Sequence, residues 1–164
     1  MAHHYTQGKY YPVNRKKYIG NSEPIYRSGW ELIVFSKLDE KPEVFRWGSE
    51  SFSLPYMYEL DGKQHKYYID LYVEVINKQN KIDKLIIEIK PDAKLSPPIK
   101  PKSRTGKSLR NYNLQIADYI KNTNKWKFAK AYAVSNGISF YIMTEKGMYI
   151  FEDRPVKVSS AKFF

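Results

Sequence analysis

Two stretches decide the fold: Tyr68-Ile69-Asp70-Leu71-Tyr72-Val73-Glu74-Val75 and Lys84-Leu85-Ile86-Ile87-Glu88-Ile89-Lys90. Both read as β-strands, in which successive side chains point to opposite faces. In the first, positions 69, 71, 73 and 75 are aliphatic and make the buried face. Asp70 then points the other way, beside Tyr68 and Tyr72. In the second, positions 85, 87 and 89 are aliphatic, so Glu88 and Lys90 share the opposite face, two residues apart. If the strands are neighbours, the carboxylates of Asp70 and Glu88 converge at one end with the Lys90 ammonium beside them.

That convergence admits two readings. Exposed strand faces often carry ion-pair clusters that add little to stability, and Asp70, Glu88 and Lys90 fit that description. Two carboxylates on adjacent strands also suit a hard cation such as Mg²⁺, with Mn²⁺ as a substitute, because such ions take oxygen ligands. The backbone carbonyl of Ile89 would add one more. A cation there would polarise a phosphate ester and acidify a bound water, while Lys90 oriented that water or offset developing charge.

Outward from these strands, Asp61-Gly62 is a hairpin turn that launches a strand from Lys66 to Ile76. Pro91 ends the second strand. Val44 to Trp47 and Ser51 to Tyr56 read as short strands, the latter closed by Pro55. Ser28 opens a helix carrying Trp30, Ile33, Val34 and Leu38 at helical spacing, and Ser28-Gly29-Trp30-Glu31 fits a capping box. Ser108 to Lys121 and Thr123 to Ser135 read as two helices, or one broken near Asn122, with Asn136-Gly137 as the C-cap. Ile138 to Thr144 is a last strand before a poorly specified tail. The expected architecture is a single α/β domain, a mixed central sheet flanked by helices. Its divisions are a basic N-terminal arm over 1–26, a core over 27–153 and a C-terminal tail over 154–164.

The chain has 164 residues and a formal net charge of +11. So basic a domain usually meets a polyanion, because neutralising phosphates releases counterions. The richest segment runs from Lys90 to Arg110, with Lys94, Lys100, Lys102, Arg104 and Lys107 between them and Asp92 the one acid. Pro91, Pro97, Pro98 and Pro101 make its 91–107 portion an extended loop, suited to follow a phosphate backbone without reading bases. No helix-turn-helix or zinc-finger pattern appears. The absence of cysteine excludes disulfides, thiolate nucleophiles and cysteine-bound zinc. His3, His4 and His65 are too scattered for a zinc site. With no signal-peptide core and no apolar run near the roughly 20 residues of a membrane helix, the sequence reads as a soluble, cytosolic protein.

Asp70 with Glu88-Ile89-Lys90 resembles the signature of the PD-(D/E)xK nuclease superfamily, which has the restriction-endonuclease-like fold. Ile69 stands where that loose motif normally has proline. Taken in order, Tyr26-Arg27-Ser28-Gly29-Trp30-Glu31, Trp47-Gly48-Ser49-Glu50, Pro55-Tyr56, Tyr67-Tyr68-Ile69-Asp70, Ile87-Glu88-Ile89-Lys90-Pro91 and Asn122-Thr123-Asn124-Lys125-Trp126 closely resemble the head-completion nucleases of myovirus-type tailed phages. The likeness runs from about Lys9 to Tyr149. TnsA-like transposon endonucleases are a more distant likeness.

The resemblance implies metal-dependent DNA cleavage of low sequence specificity, during head completion before tail joining. It implies phage head or portal proteins as partners, and the host cytoplasm, with the virion in addition, as location. Asp70, Glu88 and Lys90 match the catalytic motif, and Glu31 matches a first-helix glutamate that often completes metal binding. The capping box is the competing role for Glu31, and one side chain cannot fully serve both. Gln115 and Tyr119 show a spacing similar to one in RecB-type nucleases, on one helix face, with chance coincidence as the alternative. Arg27 is a candidate phosphate contact beside the first helix, as are Lys94, Lys100, Lys102, Arg104, Lys107 and Arg110 in the loop. Two other readings fit the same residues: a catalytically idle structural DNA-binding protein of the phage head, and a TnsA-like transposon or repair endonuclease.

Overall fold

In the computed structural model the described residues are 6–158. His3 and His4, the start of the basic arm and the end of the tail lie outside them. The central sheet grows from the second decisive stretch, which is the strand Ile82–Ile89. Numbered along the chain, the strands are β1 (Gly8–Lys9), β2 (Ile25–Tyr26), β3 (Val44–Ser49), β4 (Ser53–Tyr58), β5 (Lys63–Tyr68), β6 (Leu71–Ile76), β7 (Ile82–Ile89), β8 (Ser139–Thr144), β9 (Gly147–Phe151) and β10 (Pro155–Val158). The helices are α1 (Gly29–Glu40) and α2 (Gly106–Ser135). Six strands form one mixed sheet in the order β10-β9-β8-β7-β6-β3. Only β7 and β8 run parallel, and α2 makes the crossover between them, as a parallel pair requires. The hairpin β4–β5 stands apart as a two-stranded sheet, and β1–β2 is another.

The sheet is covered on both sides. On the α1 side Val34, Phe35, Leu38, Trp47, Leu71, Val73, Leu85, Ile87 and Ile89 form one core. On the α2 side Leu54, Tyr56, Tyr67, Ile69, Ile86, Trp126, Ala129 and Ile142 form the other. The near-continuous apolar run of β7 is what burial on both faces demands. Glu88 therefore lies under α2, 1% exposed, rather than on a half-open surface.

The single strand expected from Lys66 to Ile76 is broken. β5 pairs only with β4, while β6 pairs with β3 and β7. At the break Ile69 N–H donates to Phe52 C=O (3.4 Å) and Glu50 N–H donates to Asp70 C=O (3.3 Å). Side-chain alternation is lost across it: Ile69 packs toward α2 and Leu71 toward α1. Parity read from Leu71 onward is right, and parity carried back to Ile69 is not.

Three other expectations are corrected. α2 is one continuous helix of 30 residues, with Asn122 buried inside it and Thr105 as its N-cap. Burial of Trp126, Ala129 and Ala133 against the sheet outweighs the weak helix propensities around Asn122. Its C-terminus closes as a Schellman motif: Ile138 N–H donates to Ala133 C=O (2.8 Å), with Gly137 at φ 65°. The segment after Thr144, expected to be unspecified, adds β9 and β10 to the sheet edge, so residues 155–158 are strand and not tail. Among the described residues no helix is long and apolar enough to cross a membrane.

The basic lead-in is docked and not a free arm. β1 pairs with β2, and the Tyr10 and Tyr18 rings lie 6.1 and 4.8 Å from that of Trp47. Asp39, fully buried on α1, accepts from Val13 N–H (2.7 Å), Asn14 N–H (3.1 Å) and the Tyr10 hydroxyl (3.0 Å). Burial and the Asp39 carboxylate push the Tyr10 phenol up to about 12. Asp39→Ala strands those donors, and its expected cost is about 2–3 kcal/mol, read as a lower urea midpoint. An unchanged midpoint would mean that Asp39 does not hold the segment.

Candidate active site

β6 and β7 are antiparallel with Leu71 opposite Ile87, so the break before β6 sets Asp70 beside the end of β7. Asp70 Oδ2 accepts from Ile89 N–H at 2.7 Å. Glu88 projects under α2, where its Oε2 accepts from the Tyr67 hydroxyl and its Oε1 pairs with Lys90 Nζ at 2.8 Å. Lys90 itself is fixed by its N–H, which donates to Met143 C=O on β8 (3.0 Å). The structure thus brings Asp70, Glu88 and Lys90 together and adds Tyr67.

The electrostatics are those of two crowded carboxylates with one counter-charge. Desolvation and then the Glu88 charge push Asp70 well above the usual carboxylate range, against the opposing pull of Lys90 and the Ile89 N–H. Burial works against the charge on Lys90, yet Glu88 and Asp70 outweigh it and hold that ammonium above the ordinary lysine range. Burial and Glu88 likewise push the Tyr67 phenol up. Such displaced pKa values gather where a protein arranges charges for chemistry.

Glu31 is not brought into this cluster. Ser28 Oγ caps α1 by accepting from Glu31 N–H (3.1 Å), and the Glu31 carboxylate reaches back to Arg27 N–H (2.5 Å), not to Ser28 N–H as a capping box would have it. It remains near enough to add to the upward push on Asp70. Among the described residues no group of three or more His, Cys, Asp or Glu residues could hold a metal ion. The Arg27 guanidinium is paired with Glu50 at 2.8 and 3.2 Å.

Gln115 is exposed and Tyr119 half-buried, and among the described residues no hydrogen bond ties either to the trio. Lys94 pairs with Asp118 (2.9 Å), Lys100, Lys102 and Arg104 are exposed in the loop, and Lys107 and Arg110 are exposed on the first turns of α2. Two members escaped the sequence reading. Tyr67 was marked only by its place in the quoted Tyr67-to-Asp70 motif, because the strand was read without its break. Lys125, on α2, lies 5.3 Å from the Tyr67 ring centroid. Desolvation pulls its ammonium down, while Glu88 and Asp70 pull it up. Only its place in the quoted Asn122-to-Trp126 motif marked it.

A mixed sheet with two helices, and a catalytic-type trio at the ends of its central strands, is the frame of a restriction-endonuclease-like domain. The family model for the N-terminal domain of TnsA-like endonucleases matches residues 41–145. The chain belongs to the TnsA-like endonuclease family. The matched span runs from just before β3 to just after β8, so it contains Asp70, Glu88, Lys90 and Lys125 and leaves out Glu31. This TnsA-like chain is also 38% identical, over 142 residues, to the head completion nuclease of Enterobacteria phage T4, covering 86% of its own length and 92% of that protein. Nuclease is the activity on which the two relationships agree.

Proposed function

We propose that this chain is a divalent-cation-dependent endonuclease that hydrolyses DNA phosphodiester bonds with little sequence preference, acting in phage head completion. The convergence of Asp70, Glu88 and Lys90 on the buried side of β7 carries this reading. Their donor set fits a hard cation: the acidic oxygens are crowded, and Lys90 alone does not balance them. Asp70, Glu88 and the Ile89 carbonyl would hold Mg²⁺, with Mn²⁺ as a substitute. When bound, the ion supplies Lewis-acid stabilisation of the phosphate and a more acidic water.

The protein's own groups do the rest. Glu88 holds the Lys90 ammonium at 2.8 Å, and Tyr67 fixes the other carboxylate oxygen. Lys90 then presents fixed positive charge to the non-bridging oxygens, where charge develops during attack. Glu31 serves as a cap whose release would let it join the cation. Lys100, Lys102, Arg104, Lys107 and Arg110 would follow the phosphate backbone, and contacts of that kind carry no sequence information. Lys94 and Arg27 would join them on leaving Asp118 and Glu50. Gln115 and Tyr119 remain candidates for an accessory role, about two and three turns along α2 from Lys107. We infer head or portal proteins as partners, and the host cytoplasm during assembly together with the virion as location; the similarity to the head completion nuclease of phage T4 supports the head role.

The test is supercoiled plasmid incubated with the protein and Mg²⁺. Nicked and then linear DNA should appear, and EDTA should abolish both. Full cleavage in EDTA would exclude the cation. Tight, salt-sensitive DNA binding with no cleavage in Mg²⁺ or Mn²⁺ would establish the structural DNA-binding reading instead.

A further inference from the structure

Two ways of holding a lysine ammonium stand out in this fold. Lys90, Lys94, Lys130 and Lys146 are each within 2.9 Å of a carboxylate oxygen. Lys121 and Lys125 are instead held over tyrosine rings. Lys125 Nζ lies 5.3 Å from the Tyr67 centroid and 6.0 Å from that of Tyr56, and Lys121 Nζ lies 5.7 Å from that of Tyr58. A ring face positions an ammonium without neutralising it, whereas a carboxylate does both. Four residues apart, the two lysines share one face of α2, above the hairpin β4–β5.

That face leads to the trio. Tyr67, under Lys125, is the residue whose hydroxyl is bonded to Glu88. Lys125 is only partly exposed, and no carboxylate among the described residues comes within ion-pair distance of it. A desolvated, positioned, unpaired ammonium calls for an anion, and a phosphodiester entering the site is the anion at hand.

We infer that Lys125 and Lys121 form a phosphate-binding track on α2 that holds the substrate strand on the hairpin side of the Asp70–Glu88 pair. The inference rests on the nuclease reading for the direction of the strand. It assigns the tyrosines of β4 and β5 the task of fixing two cations without discharging them. The basic loop meets the same helix one turn away, where Lys94 pairs with Asp118, so the loop and the track adjoin.

The experiment uses the full chain in EDTA with a fluorescein-labelled DNA duplex, binding being followed by anisotropy over a series of NaCl concentrations. Lys125→Gln should weaken binding about tenfold, as loss of one charge-assisted contact does. The slope of log K against log salt should fall by about 0.9, the share of one phosphate contact. Lys125→Arg, which keeps the charge, should restore most of both. If Lys125→Gln melts at the wild-type temperature with affinity and slope unchanged, the track is wrong and Lys125 merely buttresses Tyr67. Should Lys125→Gln fail to fold, Lys121→Gln, at an exposed position, reads the same slope, and an unchanged value overturns the track. Because binding is read without cleavage, the two proposals fail separately. A wild type that binds with these slopes yet never cuts would leave the track standing and remove the nuclease reading.

Discussion

Glu88→Gln should lower plasmid cleavage by about three orders of magnitude, roughly 4 kcal/mol of transition-state stabilisation, while the protein stays folded. The substitution keeps the size of the side chain and an oxygen for the Tyr67 hydroxyl, so the packing under α2 survives. What it removes is one of two anionic oxygen donors and the charge that positions Lys90. Stability should change by no more than about 2 kcal/mol, the worth of hydrogen bonds to a charged group. Lys90→Met is a less clean experiment. It leaves two crowded carboxylates without their counter-charge, and breaking a buried pair costs about 3–5 kcal/mol, so loss of cleavage and loss of stability arrive together. Cleavage by Glu88→Gln within tenfold of wild type would take Glu88 out of the site.

Trp47→Ala should be the most damaging single truncation for stability, at about 3–5 kcal/mol, or near 10 °C in melting temperature for a domain of this size. Trp47 is fully buried, with the rings of Tyr18, Phe35 and Tyr10 at 4.8, 5.4 and 6.1 Å. Its C=O also accepts from Ile19 N–H at 2.7 Å. The residue thus joins β3, α1 and the N-terminal segment, and the void left by alanine is felt in all three. Its indole Nε1 has no hydrogen-bond partner among the described residues. Trp47→Phe, which discards that unpaired donor and keeps an aromatic ring, should therefore cost less than half as much. Equal losses for both variants would show that a feature peculiar to the indole, and not aromatic packing, decides the site.

How much of this was legible depends on how local each signal is. β7 is legible because its aliphatic run, its Glu88-x-Lys90 ending and Pro91 are contiguous. The hairpin turn at Asp61-Gly62 and the Ser28 cap of α1 are set by backbone chemistry within a few residues, and both appear in place. The break at Ile69–Asp70 is not local: β5 and β6 part because one pairs with β4 and the other with β7. The unbroken α2 is decided by the sheet it packs on, and the docking of residues 8–26 by Asp39 and Trp47, far along the chain. β9 and β10 complete the sheet edge after a turn at Glu145–Lys146, with Gly147 at φ 131°, which the mixed polarity of that stretch conceals. Of the site, Glu88 and Lys90 were readable from strand parity, whereas Asp70 sits at the break, where parity fails, and was marked by the motif it forms with Glu88-Ile89-Lys90. Tyr67 and Lys125 were not readable from parity, since one lies beyond the break and the other is delivered by the helix between β7 and β8.

We propose that Asp70 and Glu88 together hold a divalent cation beside Lys90. A crystal soaked in Mn²⁺ and measured at an energy where manganese scatters anomalously tests it directly. The expected result is one strong anomalous peak between the carboxylates of Asp70 and Glu88, within ligand distance of the Ile89 carbonyl, with Glu31 seen either at its cap or released to the ion. A fully soaked crystal with no peak there, or with manganese bound only elsewhere, would take the cation out of the Asp70–Glu88 site.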